Sequence, residues 1–287
     1  MRIVMDFNKI DISRRSLAIA ASLVGMVSLA IGAHAALNTR ALDEAKVETE
    51  RVDTMADAPS RIALVIGNGH YPDANEPLSQ PINDARALTT TLRQDGFDVD
   101  MVEDATRDDM ERAVARLKSR LKPDSVVMLF YGGYGIQIGR ESYMIPVDAT
   151  IWKESDVRRN GVSVESVLDA MKEQGACAKL VVLDASRRNP YERRFRAFSH
   201  GLAPISAPDN ALILTSAASG EVVDDSDGQY SVLVTELLNN LNAQSDAAEA
   251  VFNKTRAAVS RASNGVQVPT VSSSLLEDVR FGTHAGS

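Results

Sequence analysis

Two apolar segments of the chain end in side chains that are able to take part in catalysis, Tyr134 and Ser186. The first segment covers residues 125–135 and the second residues 179–190. Each is a β-branched apolar run that stops in small or turn-forming residues, a pattern typical of a buried parallel strand. The carboxyl ends of parallel strands meet at one edge of a sheet, where open α/β folds build their sites. We therefore expect Tyr134 and Ser186 to lie close together.

A hydroxyl and a phenol at these two positions give a weak catalytic pair. The hydroxyl of Ser186 needs a base before it can act as a nucleophile. Tyr134 is a poor base, because the reference pKa of tyrosine, near 10, is roughly three to four units above that of histidine. One hypothesis is a serine nucleophile activated by an ionised Tyr134 with help from Arg187 or Arg188. The other is that Tyr134 fills the site and hydrogen-bonds across it without catalysis.

The same two segments resemble the hallmark segments of bacterial caspase-like peptidases, the relatives of metacaspases and paracaspases. In that family the first reads Tyr-x-Gly-His-Gly and supplies the base, and the second reads Leu-Asp-x-Cys-Arg-x-Asn-Pro and supplies the nucleophile. Here Tyr134 and Ser186 occupy the histidine and cysteine positions. The remaining histidines outside the termini, His70 and His200, lie in loops and would have to swing into the site. The resemblance therefore implies a peptidase fold in a catalytically inactive pseudopeptidase.

The resemblance extends over roughly residues 61–281 and implies a binding pocket. Asp84 and Asp184 match positions that line an acidic pocket for an Arg or Lys side chain, and Gly132 and Gly133 fall at substrate-binding positions. Paired carboxylates would favour a guanidinium through charge-assisted contacts. The predicted partner is therefore a peptide or protein with an exposed Arg or Lys. The alternative is that Asp84 caps its helix and Asp184 accepts backbone hydrogen bonds.

Two other functions stay open at this stage: a noncanonical hydrolase that uses Ser186, and a structural or assembly module. No cofactor or metal is predicted. The loop at residues 221–228 carries three carboxylates, but it lacks the ligand pattern of a calcium loop. Some relatives also use a carboxylate where this chain has Arg193. The arginine-rich stretch at residues 187–209 is the region where active relatives are often processed. Its arginines could pair with the acidic residues 224–227 or form a docking patch for an acidic partner; solvated charge is the simpler interpretation.

Composition limits the remaining classes. The chain has 287 residues, 44% of them hydrophobic, and a formal net charge of -8. This length favours one main domain, and the negative charge disfavours binding to nucleic acid. The single cysteine, Cys177, excludes an intramolecular disulfide. It precedes its strand rather than following it, so we interpret it as a small, half-buried residue.

The N-terminal region is predicted to direct export. Residues 1–35 combine the pair Arg14 and Arg15, an apolar run from Leu17 and an Ala-x-Ala end, which is the pattern of an export signal, with features of the twin-arginine type. The predicted location is the periplasm. The alternative is an uncleaved anchor in the inner membrane, which would be the protein's only contact with a membrane. Residues 36–59 are predicted to form a polar linker, and residues 283–287 a short tail.

Residues 60–282 are predicted to form one caspase-like α/β domain. Strands alternate with amphipathic helices, which indicates a mostly parallel sheet of about six strands with helices on both faces, a three-layer sandwich. The predicted strands cover residues 61–68, 97–103, 125–134, 179–184 and 211–216, with a last short strand within 267–281 and an edge hairpin at 142–149. The predicted helices cover residues 83–96, with Asn83 as N-cap, and residues 107–121, 164–173, 230–241 and 246–263.

Overall fold

A computed structural model describes residues 59–282, except residues 73–76, 196–199, 224–227 and 242–245. The predicted export signal and the C-terminal tail lie outside the described residues, and so does almost all of the predicted linker. The acidic part of the loop at residues 221–228 also lies outside them. No helix in the described part of the chain is long and apolar enough to cross a membrane.

A six-stranded sheet forms the centre of the domain. Its strands are β1 (Arg61–Gly67), β2 (Asp98–Glu103), β3 (Val126–Gly132), β7 (Ala178–Asp184), β8 (Ala211–Thr215) and β9 (Thr270–Ser273). They lie in the order β2-β1-β3-β7-β8-β9, and all neighbours are parallel except β9, which runs antiparallel to β8. The expected mostly parallel sheet of about six strands is confirmed.

Helices cover both faces of this sheet and complete the three layers. The six helices of the described residues are α1 (Pro81–Gln94), α2 (Arg107–Arg120), α3 (Glu154–Asn160), α4 (Val164–Glu173), α5 (Val232–Leu241) and α6 (Ala248–Ala262). Leu88 of α1 and Phe252 of α6 belong to the core on one face, and Met110 of α2 and Leu168 of α4 to the core on the other. Alternate residues of the central strands enter the two cores, which is why those strands are apolar throughout.

A second, three-stranded sheet lies beyond the end of β3. It consists of β4 (Gly135–Ile138), β5 (Glu141–Met144) and β6 (Val162–Ser163) in antiparallel order. Its side chains and those of α3 form a third apolar cluster that includes Ile136 and Val157. This cluster gives the edge of the main sheet an apolar neighbour at the point where Tyr134 emerges.

Several predicted boundaries are wrong for local reasons. α1 begins at Pro81, whose fixed φ suits the first helical turn, so Asn83 is not the N-cap. β3 ends at Gly132, and the hairpin pairs residues 135–138 with 141–144, because the second strand stops before Pro146. α3 was not predicted, since its seven residues are too few to show an apolar period. By contrast, α4 spans the predicted residues and its cap, Ser163, accepts a hydrogen bond from the Ser166 amide.

Candidate active site

The two segments that carry Tyr134 and Ser186 lie side by side at the carboxyl edge of the main sheet. The Gly133 amide donates to the Asp184 carbonyl at 3.2 Å, and the Gly135 amide donates to the Ala185 carbonyl at 3.0 Å. A Cβ on Gly135 would come within 2.6 Å of the Ala185 carbonyl oxygen, so only glycine permits this approach. The structure therefore brings together the two strand ends that the sequence singles out.

Tyr134 is buried in an aromatic cluster. Only 6% of it is exposed, and it belongs to the third apolar cluster together with Ile136. Its ring lies 4.8 Å from the Tyr71 ring, centroid to centroid, at 64°. This edge-to-face arrangement is a stabilising one for aromatic pairs. The position that holds the base in the resembled family is thus filled by a packed side chain.

Two further tyrosines fix the backbone around Tyr134. The Tyr134 amide donates to the Tyr71 hydroxyl at 3.0 Å, and the Tyr131 hydroxyl donates to the Tyr134 carbonyl at 3.0 Å. The Ile145 carbonyl accepts from both of these hydroxyls, at 3.1 Å and 2.9 Å. Burial raises the pKa of Tyr71 and of Tyr131 well above the ordinary value, so both phenols are neutral donors.

Ser186 lies at the end of β7 with 1% of its surface exposed. Its amide donates to the Ser216 hydroxyl at 3.2 Å, and its carbonyl accepts from the Val223 amide at 2.7 Å. Its side-chain oxygen is buried and has no hydrogen-bond partner among the described residues. Tyr134 therefore does not hydrogen-bond to the Ser186 hydroxyl. No base among the described residues is hydrogen-bonded to the Ser186 hydroxyl.

The two histidines of the domain are engaged elsewhere. His70 Nδ1 lies 2.6 Å from Asp104 Oδ2, and its side chain is largely exposed. His200 accepts from the Asn189 amide through Nδ1 at 3.0 Å, and its Nε2 lies 2.6 Å from Glu192 Oε1. Neither contact involves the Ser186 hydroxyl.

The two aspartates of the predicted pocket are both buried. Asp84 lies in the first turn of α1 and accepts the Ser231 amide on Oδ1 at 3.0 Å. It does not cap its helix, because the N-cap position is Gln80. The Oδ2 atoms of Asp84 and of Asp184 are buried and have no hydrogen-bond partner within the described ranges. Burial, and secondly the charge of Asp184, raise the pKa of Asp84 to about 8.

Arg187 supplies an internal cation beside this acidic pair. Its Nη1 donates to the Gly133 carbonyl at 3.1 Å and to the Asp184 carbonyl, and it lies 3.7 Å from Asp184 Oδ1. The neighbouring Arg188 is exposed. Sequence reasoning named Arg187 as a helper of Ser186 and missed its contact with Asp184. An arginine three residues after an aspartate at a strand end was the available signal.

The predicted substrate-binding glycines are both buried. Gly132 is the last residue of β3 and pairs in register with Asp184, while Gly133 donates and accepts through its backbone as described above. Gly133 has a φ of +156°, and a Cβ there would meet the Tyr71 and Tyr131 hydroxyls at 2.6 Å. These glycines allow close packing between the tyrosine cluster and the acidic pair.

The arginine-rich stretch is partly tied to the second sheet. The Arg194 guanidinium lies over the Trp152 ring at 4.5 Å and over the Tyr191 ring at 5.4 Å. It also donates to the Ile151 carbonyl. At least one arginine of this stretch is therefore a structural contact rather than free solvated charge. Sequence reasoning missed this contact, because Trp152 is distant along the chain.

Other reactive groups lie away from this edge. Cys177 is half-buried just before β7, at the opposite end of that strand from Ser186, and burial raises its pKa. Within the described ranges, no three His, Cys, Asp or Glu side chains are placed to hold a metal ion.

Comparison with known proteins gives one family and two curated relatives. The family model described as "Caspase domain" (Peptidase_C14) matches residues 60–280. The chain is 33% identical over 136 residues to "Mucosa-associated lymphoid tissue lymphoma translocation protein 1" of Homo sapiens, and equally identical to its Mus musculus homolog. Each match covers 47% of this chain and 16% of the relative, so the chain spans only a small part of these proteins.

Proposed function

The chain belongs to the caspase-domain family, and we propose that it is a non-cleaving member of it. In this proposal the domain is a pseudopeptidase that binds a peptide or protein partner through an exposed Arg or Lys. The observation that carries the proposal is the buried Ser186 hydroxyl, which has no hydrogen-bond partner among the described residues. A serine nucleophile depends on a base within hydrogen-bond reach.

The arrangement at Tyr134 supports the same proposal. Its ring packs against Tyr71 in an apolar cluster instead of reaching the Ser186 hydroxyl. Restoring catalysis would therefore require both a base and a nucleophile, because neither change supplies the missing partner of the other.

The acidic pair supports binding of a basic side chain. Asp84 Oδ2 and Asp184 Oδ2 are buried acceptors without hydrogen-bond partners in the part of the chain that the structure describes. A buried carboxylate oxygen without a partner costs free energy, and a guanidinium or ammonium group would relieve this cost by donating to it. The name of the human relative does not mention a substrate. The preference for a partner with a basic side chain is therefore inferred from the two carboxylates.

The absence of cleavage is tested on the purified domain with fluorogenic peptides ending in Arg or Lys and with a fluorophosphonate probe. We expect no turnover and no labelling. The Ser186→Ala variant is the matched control for background signal. Turnover or labelling that disappears in this variant would sink the proposal and favour the hydrolase that uses Ser186.

Binding is tested by fluorescence anisotropy with labelled peptides that differ only in Arg, Lys or Gln at one end. We expect the Arg and Lys peptides to bind and the Gln peptide to bind at least tenfold more weakly, since one charge-assisted contact is worth roughly 1.5–3 kcal/mol. Asp184→Asn should weaken the Arg and Lys peptides only. Equal binding of all three peptides would favour a structural or assembly module.

Restoring the histidine and cysteine of the dyad tests whether the rest of the site can still support cleavage. The double variant Tyr134→His, Ser186→Cys should gain cleavage after basic residues, because a histidine and a thiol supply the base and the nucleophile at the same sheet edge. Each single variant serves as a control and should stay inactive. A double variant that binds basic peptides but does not cleave them would show that the loss extends beyond these two positions.

We also propose that the protein is exported to the periplasm, on the sequence of residues 1–35 alone. Fractionation of cells that express the full chain tests this proposal. Replacement of Arg14 and Arg15 by lysine should retain the protein in the cytoplasm, and unchanged export would contradict a twin-arginine route.

A further inference from the structure

Trp152 is the single tryptophan of the chain, and it lies on the surface of the domain with 65% of its area exposed. Its neighbour Ile151 is buried in the third apolar cluster, and the Trp152 amide donates to Asp156 Oδ2 at 3.1 Å. The main chain at Trp152 is therefore held in place while its ring stays outside the core. One exposed apolar side chain is ordinary in a soluble protein, but this ring carries a charged group on one face.

The Arg194 guanidinium is that charged group. Its Cζ lies 4.5 Å from the centre of the Trp152 ring and 5.4 Å from the centre of the Tyr191 ring, and its Nη1 donates to the Ile151 carbonyl. These contacts fix a long, exposed side chain that would otherwise change rotamer freely. Contacts with ring faces use no N–H group, so most of the donors of Arg194 remain available to an acceptor.

Arg194 has no carboxylate partner among the residues that the structure describes. Two acidic residues of the same segments pair with other groups. Asp156 pairs with Arg159 at 2.8 Å, and Glu192 Oε1 lies 2.6 Å from His200 Nε2. An arginine that aromatic rings fix in place without a counter-charge is a preformed site for a carboxylate, because charge-assisted hydrogen bonds from a guanidinium are short and strong.

The residues beside this pair extend its positive charge. Lys153 follows Trp152, Arg193 precedes Arg194, and both are exposed. Glu154, which follows Lys153, is half-buried and already has an interaction partner. The whole chain has a net charge of -8, which repels an acidic partner at long range. At physiological ionic strength the Debye length is about 8 Å, so the charges close to Arg194 outweigh distant ones once a partner is in contact.

We propose that Trp152 and Arg194, flanked by Lys153 and Arg193, form a docking surface for an acidic segment of a partner protein. A carboxylate of that segment accepts hydrogen bonds from the Arg194 guanidinium, and an apolar side chain next to it covers the open face of the Trp152 ring. Tryptophan and arginine are enriched at the energetically dominant positions of interfaces, and a guanidinium that is already fixed loses little conformational freedom on binding. This surface shares no residue with the acidic pair, so the inference goes beyond the proposed function and does not depend on it.

The test uses Trp152 fluorescence, which reports on this surface alone because the chain has no second tryptophan. The full chain is titrated with acetyl-Glu-Glu-Phe-Glu-Glu-amide. We expect a saturable shift of the emission to shorter wavelength, since the phenylalanine covers the ring and removes it from water. The same peptide with glutamine in place of glutamate should bind at least about tenfold more weakly. An equal response to both peptides, or none to either, would overturn the docking surface.

Arg194→Gln should weaken binding of the glutamate peptide at least about tenfold, because it removes the guanidinium charge and keeps a polar side chain. Arg256→Gln is the matched control, since Arg256 is an exposed arginine on α6, and this variant should bind as the wild type does. Equal affinities of the two variants would overturn the role of Arg194.

Acrylamide quenching of Trp152 tests whether the surface is open before a partner binds. We expect efficient quenching without ligand and protection by the glutamate peptide. A ring that is shielded without ligand would mean that another part of the chain already covers it, and this would overturn docking of a partner. Binding of Arg and Lys peptides at the acidic pair is measured separately, so failure here would leave the proposed function intact.

Discussion

The site at the carboxyl edge of the sheet has two halves, the dyad positions and the acidic cluster, and their polar groups lie in different environments. At the dyad positions, Tyr134 is packed into an aromatic cluster and the Ser186 hydroxyl is buried without a partner. In the other half, Asp84, Asp184 and Arg187 are three buried ionisable groups. The Tyr134 ring is stabilised by packing, whereas the buried carboxylates bear a desolvation cost that their contacts with Ser231 and Arg187 partly offset.

This difference indicates that packing accounts for the residues of the first half, whereas electrostatics accounts for those of the second. A chain that had lost all function at this edge would be most stable with apolar side chains throughout, because apolar replacements of buried ion pairs are often neutral or stabilising. Mutations in the two halves should therefore have separate effects on stability.

The largest effect is expected from removal of the internal cation. Arg187→Met should lower the free energy of unfolding by about 3–5 kcal/mol, because it leaves the Asp184 carboxylate buried without its counter-charge. Urea denaturation measures the change. The exposed neighbour provides the control, since Arg188→Met should stay within about 0.5 kcal/mol of the wild type. Equal stabilities of the two variants would mean that Arg187 does not hold the acidic pair.

Truncation of the dyad tyrosine is expected to be the next largest effect. Tyr134→Ala should lower the free energy of unfolding by about 3 kcal/mol, because it removes a buried ring and its edge-to-face contact with Tyr71. Thermal unfolding followed by circular dichroism gives the shift. A loss below about 1 kcal/mol would contradict a packing role for this side chain.

Asp84, in the acidic half of the site, should make the stability of the protein depend on pH. Burial raises the folded-state pKa of Asp84 from its ordinary value of 3.8 to about 8. The stability that its protonated carboxyl group contributes is therefore fully present below pH 3.8 and is lost as the pH rises through 8. Between pH 5 and pH 7 the wild type should lose about 3 kcal/mol of unfolding free energy relative to Asp84→Asn. Parallel denaturation curves at the two pH values measure the difference. A constant difference would show that Asp84 is already ionised at pH 5.

The smallest effect, of opposite sign, is expected at the nucleophile position. Ser186→Ala removes a buried hydroxyl without a partner and should leave stability unchanged or raise it by up to about 1 kcal/mol. The same denaturation assay applies. A loss of more than 1 kcal/mol would indicate that the hydroxyl makes a contact of its own.

Much of the fold could be predicted from the sequence, because the central strands and their helices are long apolar or amphipathic patterns. β1, β3, β7 and β8 appear within about two residues of their predicted bounds. The errors fall where local signals compete. Pro81 starts α1 earlier than the polar side chain of Asn83 suggested, and the hairpin lies earlier than predicted because its second strand stops before Pro146.

The sequence by itself determined the family, the sheet and the two strand ends, since these depend on periodicity and on residue types along a continuous segment. Only the tertiary structure decided what each site residue contacts. Asp84 meets Ser231, which lies 147 positions away along the chain, and Tyr134 meets Tyr71, 63 positions away. Contacts between residues so distant in sequence depend on how the layers pack, and no local pattern specifies them. For the same physical reason, the burial of the Ser186 hydroxyl and the raised pKa of Asp84 follow from the packed fold rather than from the residue types.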